Sequence, residues 1–220
     1  MSAAHVANAL DIPRSTIVRL IDGLADIDLL TIQGNGTADL SARWLALADA
    51  ASVARSEWGQ ARQAMRDLAE STSCTVTLSV YHDGAVVCLD WLPGLASEVL
   101  HLMPGRTSPL HAGAEGRVVL GSLPESELGK ILAKAPFEGF TPRTMITAEE
   151  LLGDVARSRR QGYTMSLEDA WVGVGAIAVP VWGADGNPGS IALSSTSDEI
   201  LGHAQEWTEA ILEVGERATT

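Results

Sequence analysis

The sequence predicts an α+β fold: a short helical front, a long helical stripe, then a body of mixed strands and helices. Three observations carry this. Residues 2–37 hold two short helical patterns and a Gly-rich turn. Residues 40–68 place apolar side chains at steps alternating four and three. Residues 74–200 interleave period-two, strand-like segments with helix-like ones.

The first helix is expected over Ala3–Leu10, stopped by Asp11-Ile12-Pro13. The second is expected over Ser15–Leu24, where Ile17, Leu20, Ile21 and Leu24 recur at helical spacing. Leu29–Ile32 followed by Gly34-Asn35-Gly36 reads as a strand entering a hairpin turn. The stripe then runs through Leu40, Trp44, Leu47, Ala51, Ala54, Trp58, Ala61, Met65 and Leu68, with Gly59 as a candidate bend between two helices. Such a stripe serves either as two amphipathic helices covering one core or as the seam of a helical dimer, with Trp44, Leu47 and Ala51 in the contact.

Strands are expected over Thr75–Tyr81, Ala85–Trp91, Val99–Met103, Ala176–Trp182 and Ser190–Ser194, with a hairpin turn at Asp185-Gly186-Asn187. Helices are expected over Ala112–Gly121, Pro124–Ala133 and Thr147–Gln161, the last opened by a Thr147/Glu150 capping box. A final helix, Leu201–Arg217, aligns Leu201, Ala204, Thr208, Ile211 and Val214. Cys74 and Cys88 fall on the strands of one hairpin turning near His82-Asp83-Gly84, with Cys74 facing about residue 92. They are therefore expected to be separate, reduced, buried thiols.

Composition narrows the function. The chain has 220 residues, 46% of them hydrophobic and 20% charged, which excludes wholesale disorder. No apolar run is long enough to span a bilayer, and residues 1–11 lack the pattern of a secretory signal, so a cytoplasmic location is expected, with no membrane partner. The formal net charge is −13. The acid is concentrated in residues 67–220, and the whole chain has no basic nucleic-acid footprint.

Several segments resemble one family in the same order. Ile12-Pro13-Arg14-Ser15-Thr16-Ile17-Val18-Arg19-Leu20 is similar to the turn and recognition-helix stretch LPKSTVHRLL of the IclR family of bacterial transcriptional regulators. Val80–Gly84 through Cys88-Leu89-Asp90 resembles the first hairpin of that family's effector domain. Pro109–Gly116 resembles PLHATALGKALLA, and Val172–Val181 resembles GVRAIAAPV. Phe140–Thr144 and Gln161-Gly162-Tyr163 match two further motifs. The resemblance implies a partial winged helix-turn-helix over 1–39, a linker helix over 40–55 and a GAF-like effector domain over 56–220. It implies a homodimer or a dimer of dimers on operator DNA.

Relative to the family pattern, the chain lacks a helix before Ala3–Leu10. Without it, Val6, Leu10, Ile17 and Leu20 are expected to be exposed. Asp11 replaces the family's turn glycine and tolerates a positive φ. Residues 1–40 carry only Arg14 and Arg19 against five Asp, a poor charge balance for phosphate.

Catalytic and metal chemistry find little support. The five His show no metal spacing with each other or with the cysteines, and there is no G-x-S-x-G or P-loop. His111 near Ser108 reads as a helix-start residue rather than half of a nucleophile pair, and Glu168-Asp169 as a solvated loop end. No cofactor and no metal ligand is expected, and the chain is not read as an enzyme. Trp44, Trp58 and Trp207 fit helix stripes, which leaves Trp91 and Trp171 as pocket candidates.

The expected function is effector-controlled operator binding. The alternative is a free-standing ligand-sensing or oligomerisation module that no longer binds DNA. Ser15, Thr16 and Arg19 are expected to face bases and Arg14 a phosphate. The resemblance places the effector among Gly113, Ala114, Gly116, Ser166, Glu168, Ala176, Ala192 and Ser194, with Trp91 and Trp171 beside them. Family members that bind small keto acids present an Asp, a Cys and two Ser. Here Ser166, Ala176 and Ala192 stand for the first three and only Ser194 is kept. A mostly apolar pocket, with helix-start amides near Ala114 and Glu115 holding an acid group, points to an aromatic or medium-sized hydrophobic carboxylate.

Overall fold

A computed structural model describes residues 1–54, 58–94 and 103–218. The chain divides into two compact units, residues 1–56 and 57–220.

In the first unit, α1 (Ala3–Leu10) begins where the Ser2 side chain accepts the His5 N–H. It stops at Asp11, whose left-handed backbone returns its N–H to the Ala7 carbonyl. Pro13 then fixes the entry to α2 (Arg14–Asp26). Strands β1 (Leu30–Ile32) and β2 (Ala38–Leu40) pair antiparallel. Ser41 Oγ accepts the Arg43 N–H (3.1 Å) at the start of α3 (Arg43–Ala54). Ile17 is buried and Val6 half-buried, against the expectation that both are exposed, because the turn folds α2 back onto α1; Leu10 and Leu20 are exposed as expected.

The second unit is built on a six-stranded antiparallel sheet of β3 (Thr75–His82), β4 (Ala85–Leu92), β5 (Thr107–Pro109), β6 (Thr164–Leu167), β7 (Val174–Trp182) and β8 (Pro188–Thr196), in the order β5-β4-β3-β8-β7-β6. Alternation sorts the strands' side chains onto two faces. Val76, Leu78, Ile177, Val179, Ile191 and Leu193 meet α4 (Gly59–Thr72) and α9 (Ala204–Ala218). Ala176, Ala178 and Ala192 meet α5 (Ala114–Ser122), α6 (Glu125–Leu132) and α7 (Ala148–Gln161). The capping box at Thr147 is present, with the Thr147 hydroxyl and the Glu150 carboxylate each satisfying the other's backbone N–H.

Several expectations need correction. The 40–68 stripe is not one seam. Trp58, Ala61, Met65 and Leu68 are core of the second unit, while Trp44 and Leu47 are exposed and Leu40 lies on β2. Trp58 lies over Gly189, where a Cβ would come within 3.0 Å of the indole and 2.6 Å of the Ser79 carbonyl. The final helix is two, α8 (Ser197–Gly202) and α9, interrupted at His203. Leu201 is exposed, and Trp207 takes its expected place in the core.

Cys74 precedes β3 rather than lying on it, and it sits opposite Gly94 because a bulge at Leu78/Ser79 shifts the register by one. Both cysteines are free and buried; burial pushes the Cys74 thiol up to about 11. Strands β5 and β6 were not anticipated. The expected strand Val99–Met103 lies outside the described residues except for Met103, as do the side chains of Ala51 and Ala54.

Candidate functional site

In the first unit, Arg14, Ser15, Thr16 and Arg19 all lie in the opening turns of α2 and are exposed. Ser15 and Thr16 stand four and three residues before Arg19, so both neighbour it on one helix face. The opposite stripe of Ile17, Leu20, Ile21 and Leu24 lines an apolar groove of about 510 Å³ with Val6 and Leu10.

In the second unit, the expected effector residues lie on or beside the sheet face that packs against α5. Ser166 pairs with Ala176, Ala176 with Ser194, and Ser194 with Thr75, a single row across four strands. Two residues along, Ala178 pairs with Ala192, Ala192 with Thr77 and Thr77 with Trp91. Ser166, Ala176, Ala192 and Ser194 are buried, and Trp91 is half-buried. Among the described residues, the buried Thr77 Oγ1, Ser79 Oγ, Ser190 Oγ and Trp91 Nε1 on this face have no hydrogen-bond partner. Thr77, Ser79 and Ser190 were not singled out in sequence, although Thr75-x-Thr77-x-Ser79 is a polar face written in alternation.

Gly113 and Ala114 open α5. Gly116 lets it press onto the strand before it; a Cβ there would sit 2.2 Å from the Pro109 carbonyl oxygen. Two amides at the start of α5 already have acceptors. The Gly113 N–H donates to Asp169 Oδ1 (3.2 Å), and the Glu115 N–H is accepted by its own carboxyl. Ala114 and Glu115 are both buried.

Asp169 is likewise not a solvated loop end. Arg117, buried on α5, lies with Nε 2.8 Å from Asp169 Oδ2, a charge contact off the hydrogen-bonding line. Its Nη1 donates to Asp154 Oδ2 of α7 (2.5 Å) and its Nη2 to the Met165 carbonyl (2.7 Å). The Ser166 hydroxyl also bonds Asp169. Glu168 faces outward, accepting from the Gly173 N–H (3.2 Å) and pairing with Arg143 (3.5 Å). Sequence spacing hid this network, because Arg117 stands 37–52 residues from its partners along the chain.

His111 does not pair with Ser108. Its Nε2 lies 2.9 Å from the Glu138 carbonyl, and its ring stacks on Phe137 and Phe140. A cavity of about 260 Å³ opens beside it, bordered by Ser108, Pro109, Gly113, Glu115, Phe140 and Trp171. Of the expected effector residues, only Gly113 and Trp171 border this cavity. Burial pushes the Glu115 carboxyl above its ordinary range and nearby Asp169 adds to this, against the opposing pull of its own backbone N–H and of Arg117. Among the described residues, no cluster of His, Cys, Asp and Glu has the makings of a metal site, and no helix is long and apolar enough to cross a membrane.

A family model described as the C-terminal domain of the bacterial transcriptional regulator IclR matches residues 58–219. The chain belongs to the IclR family. Among curated proteins, it is similar to the HTH-type transcriptional repressor AllR of Escherichia coli K12, 27% identical over 208 residues, covering 90% of this chain and 74% of AllR. It is also similar to the HTH-type transcriptional regulator XynR of the same strain, 29% identical over 137 residues, covering 62% of this chain. That match spans about half of XynR, 54%.

Solved structures share the fold. An IclR-type regulator from Silicibacter sp. TM1040 has a TM-score of 0.85 at 21% identity, covering 100% of this chain and 87% of the other. An IclR homologue from Microbacterium hydrocarbonoxydans, in complex with 4-hydroxybenzoate, has a TM-score of 0.80 at 20% identity, covering 99% of this chain and 91% of that one. The mixed fold, with a sheet-based C-terminal domain and part of a helix-turn-helix in front of it, is thus that of IclR-family structures.

Proposed function

We propose that this protein is a DNA-binding transcriptional regulator whose operator affinity is set by a small organic effector. The observation that carries the proposal is the pairing, in one chain, of an IclR-type C-terminal domain with a two-helix turn whose second helix exposes Ser15, Thr16 and Arg19 together. Residues 1–39 read DNA, 40–55 serve as the linker, with α3 as its helix, and 56–220 bind the effector. Ser15, Thr16 and Arg19 meet base edges, and Arg14 meets a phosphate. The protein acts in the cytoplasm as a homodimer or a dimer of dimers. Trp44 and Leu47, exposed on α3, supply part of the contact. No reaction is needed: an effector that binds one of two conformations more tightly shifts the population and, with it, DNA affinity.

The effector is an aromatic or medium-sized hydrophobic carboxylate. It lies against the sheet face of Ser166, Ala176, Ala192, Ser194 and Trp91 and the α5 start at Gly113, Ala114 and Gly116, with Glu168 and Trp171 in the adjoining loop. With the Gly113 and Glu115 amides already engaged, its acid group bonds the unpartnered Thr77 and Ser190 hydroxyls and the Trp91 indole N–H. The 4-hydroxybenzoate bound by the Microbacterium homologue belongs to this chemical class.

A second reading is a sensing module that does not bind DNA. It is favoured by the open apolar groove beside α2 and by the excess of Asp over Arg in residues 1–40. Selection from random double-stranded DNA separates the two. The regulator enriches a two-fold symmetric motif, and Arg19→Ala weakens binding to it by about 1–3 kcal/mol. A chain that enriches nothing yet still binds an aromatic acid is the sensing module.

A further inference from the structure

Three asparagines stand in this chain, and the residue after each decides how it can react. The side-chain amide of an asparagine is open to attack by the backbone nitrogen that follows it. Asn187 is followed by Pro188, whose nitrogen carries no proton to give up. Asn8 is followed by Ala9 inside α1, where the backbone N–H groups are tied into the helical ladder. Asn35 is followed by Gly36, in the turn between β1 and β2, and glycine puts no side chain in the way.

The turn is open to solvent. Gly34, Asn35 and Gly36 are exposed, and a Cβ at Gly34 or Gly36 would meet nothing within 4 Å. The Asn35 side-chain oxygen accepts from the Thr37 N–H (3.0 Å) and from the Thr37 hydroxyl (2.7 Å). Both bonds draw electrons away from the amide carbon. Both also face the oxygen on which negative charge gathers when that carbon is attacked. One contact holds the reaction back. The Gly36 N–H donates to the Gln33 carbonyl (2.8 Å), so the turn has to open before the Gly36 nitrogen is free. That lock is weak, because β1 and β2 are three residues each and a lone two-stranded hairpin is marginal in water.

We propose that Asn35 is a site of spontaneous covalent modification, deamidation through a cyclic imide with water as the co-reactant. The Gly36 nitrogen gives its proton to solvent base and bonds to Asn35 Cγ. The Cγ–Nδ2 bond breaks, and Nδ2 takes up protons from solvent and leaves as ammonia. Water then opens the imide at either carbonyl. One product is aspartate, and the other is an isoaspartyl linkage in which the chain runs through the former side chain. Each carries a carboxylate where an amide stood, and the sequence has no Lys or Arg between Arg19 and Arg43 to offset it. If residues 1–39 read DNA, as proposed above, the new charge repels phosphate and turns the chain irreversibly into a weaker DNA binder. That consequence rests on the proposed function; the modification does not.

Incubation of the full chain at pH 6 and pH 8, followed by digestion and peptide mass spectrometry, tests this. The peptide holding Asn35 is expected to gain the mass of one deamidation, faster at pH 8, and to become a substrate for isoaspartyl methyltransferase. Peptides holding Asn8 and Asn187 are expected to stay unchanged, and Asn35→Gln to remove the signal. A free peptide of residues 30–40 sets the rate of the same chemistry without the fold. An intact Asn35 in the chain after the free peptide has been converted overturns the proposal, since the turn then stays shut. Equal gain at Asn8 also overturns it, since the reaction then belongs to unfolded chain. Asn35→Asp is expected to bind the DNA that the unmodified chain selects several-fold more weakly, by a margin that narrows in high salt. Equal affinity overturns the effect on DNA and leaves the chemistry standing. A chain that selects no DNA overturns the regulator reading and that effect together, while the mass gain still decides the modification.

Discussion

The two units of this chain treat their apolar residues differently. In residues 1–56, the buried apolar side chains among those described are Ala7, Ile17 and Ala38, while Leu10, Leu20, Leu40 and Leu45 are each more than half exposed. In residues 57–220, both faces of a six-stranded sheet are covered by helices, and Leu78, Ile177, Ile191, Leu193 and Ile211 are fully buried. A body of the second kind holds itself together. One of the first kind keeps apolar surface for something that covers it, and a unit this small buries a low fraction of its surface by itself. The difference suits the proposed roles of the two units, a sensor in the second and a DNA reader of low stability in the first.

The largest effect that sharpens this contrast is expected at Arg117. Arg117→Leu strands Asp169 in the interior without its counter-charge, leaves Asp154 with Arg157 alone, and is expected to cost about 3–5 kcal/mol. Denaturant unfolding followed by the Trp signal reads it. A loss under 1 kcal/mol would mean that the network contributes little to holding α5, α7 and the loop before β7 together.

Next comes a matched pair. Leu193→Ala removes a fully buried side chain and is expected to cost about 2–5 kcal/mol, whereas Leu20→Ala, 54% exposed at the start, stays within about 0.5 kcal/mol. Equal losses would show that the first unit's apolar surface is covered in solution.

A third test uses acidity. Burial raises the Glu115 pKa on folding. Its contribution to stability is therefore fully present below the ordinary value of 4.5 and is lost as pH rises through the higher folded-state value. Thermal melts across pH 4–8 are expected to show this loss in the unmodified chain and not in Glu115→Gln. The same slope in both would place the titration elsewhere. The smallest effect is expected at the α7 cap, where Thr147→Ala is expected to cost about 1 kcal/mol in urea unfolding. No change would mean that water replaces the Thr147 hydroxyl.

Local signals read well from the sequence. The hairpin of β3 and β4 follows from strict alternation around a turn, and α7 from its capping box. What failed was non-local. The 40–68 stripe looks uniform because both helices repeat at the same spacing, yet Trp58, Ala61, Met65 and Leu68 are buried while Leu40, Trp44 and Leu47 are exposed. Strands β5 and β6 are three and four residues long, too short for alternation to register.

The candidate site was legible where resemblance aligned small residues on the sheet, and the ladder does set Ser166, Ala176 and Ser194 side by side. It was not legible where charge decides. Arg117 and Asp169 meet across 52 residues of chain, and Glu115 sits in a helical pattern that gives no sign of its burial.

Hydrogen exchange read by mass spectrometry tests the division of labour most directly, on the free chain and on the chain bound to the DNA it selects. In the free chain, the account predicts slow exchange across β3, β7 and β8 and fast exchange across α1 and α2. On DNA, α2 is predicted to slow while the sheet is unchanged. If α2 is already as protected as the sheet in the free chain, or if its exchange is unaltered by DNA, the reading of a marginal reader on a self-sufficient sensor is wrong.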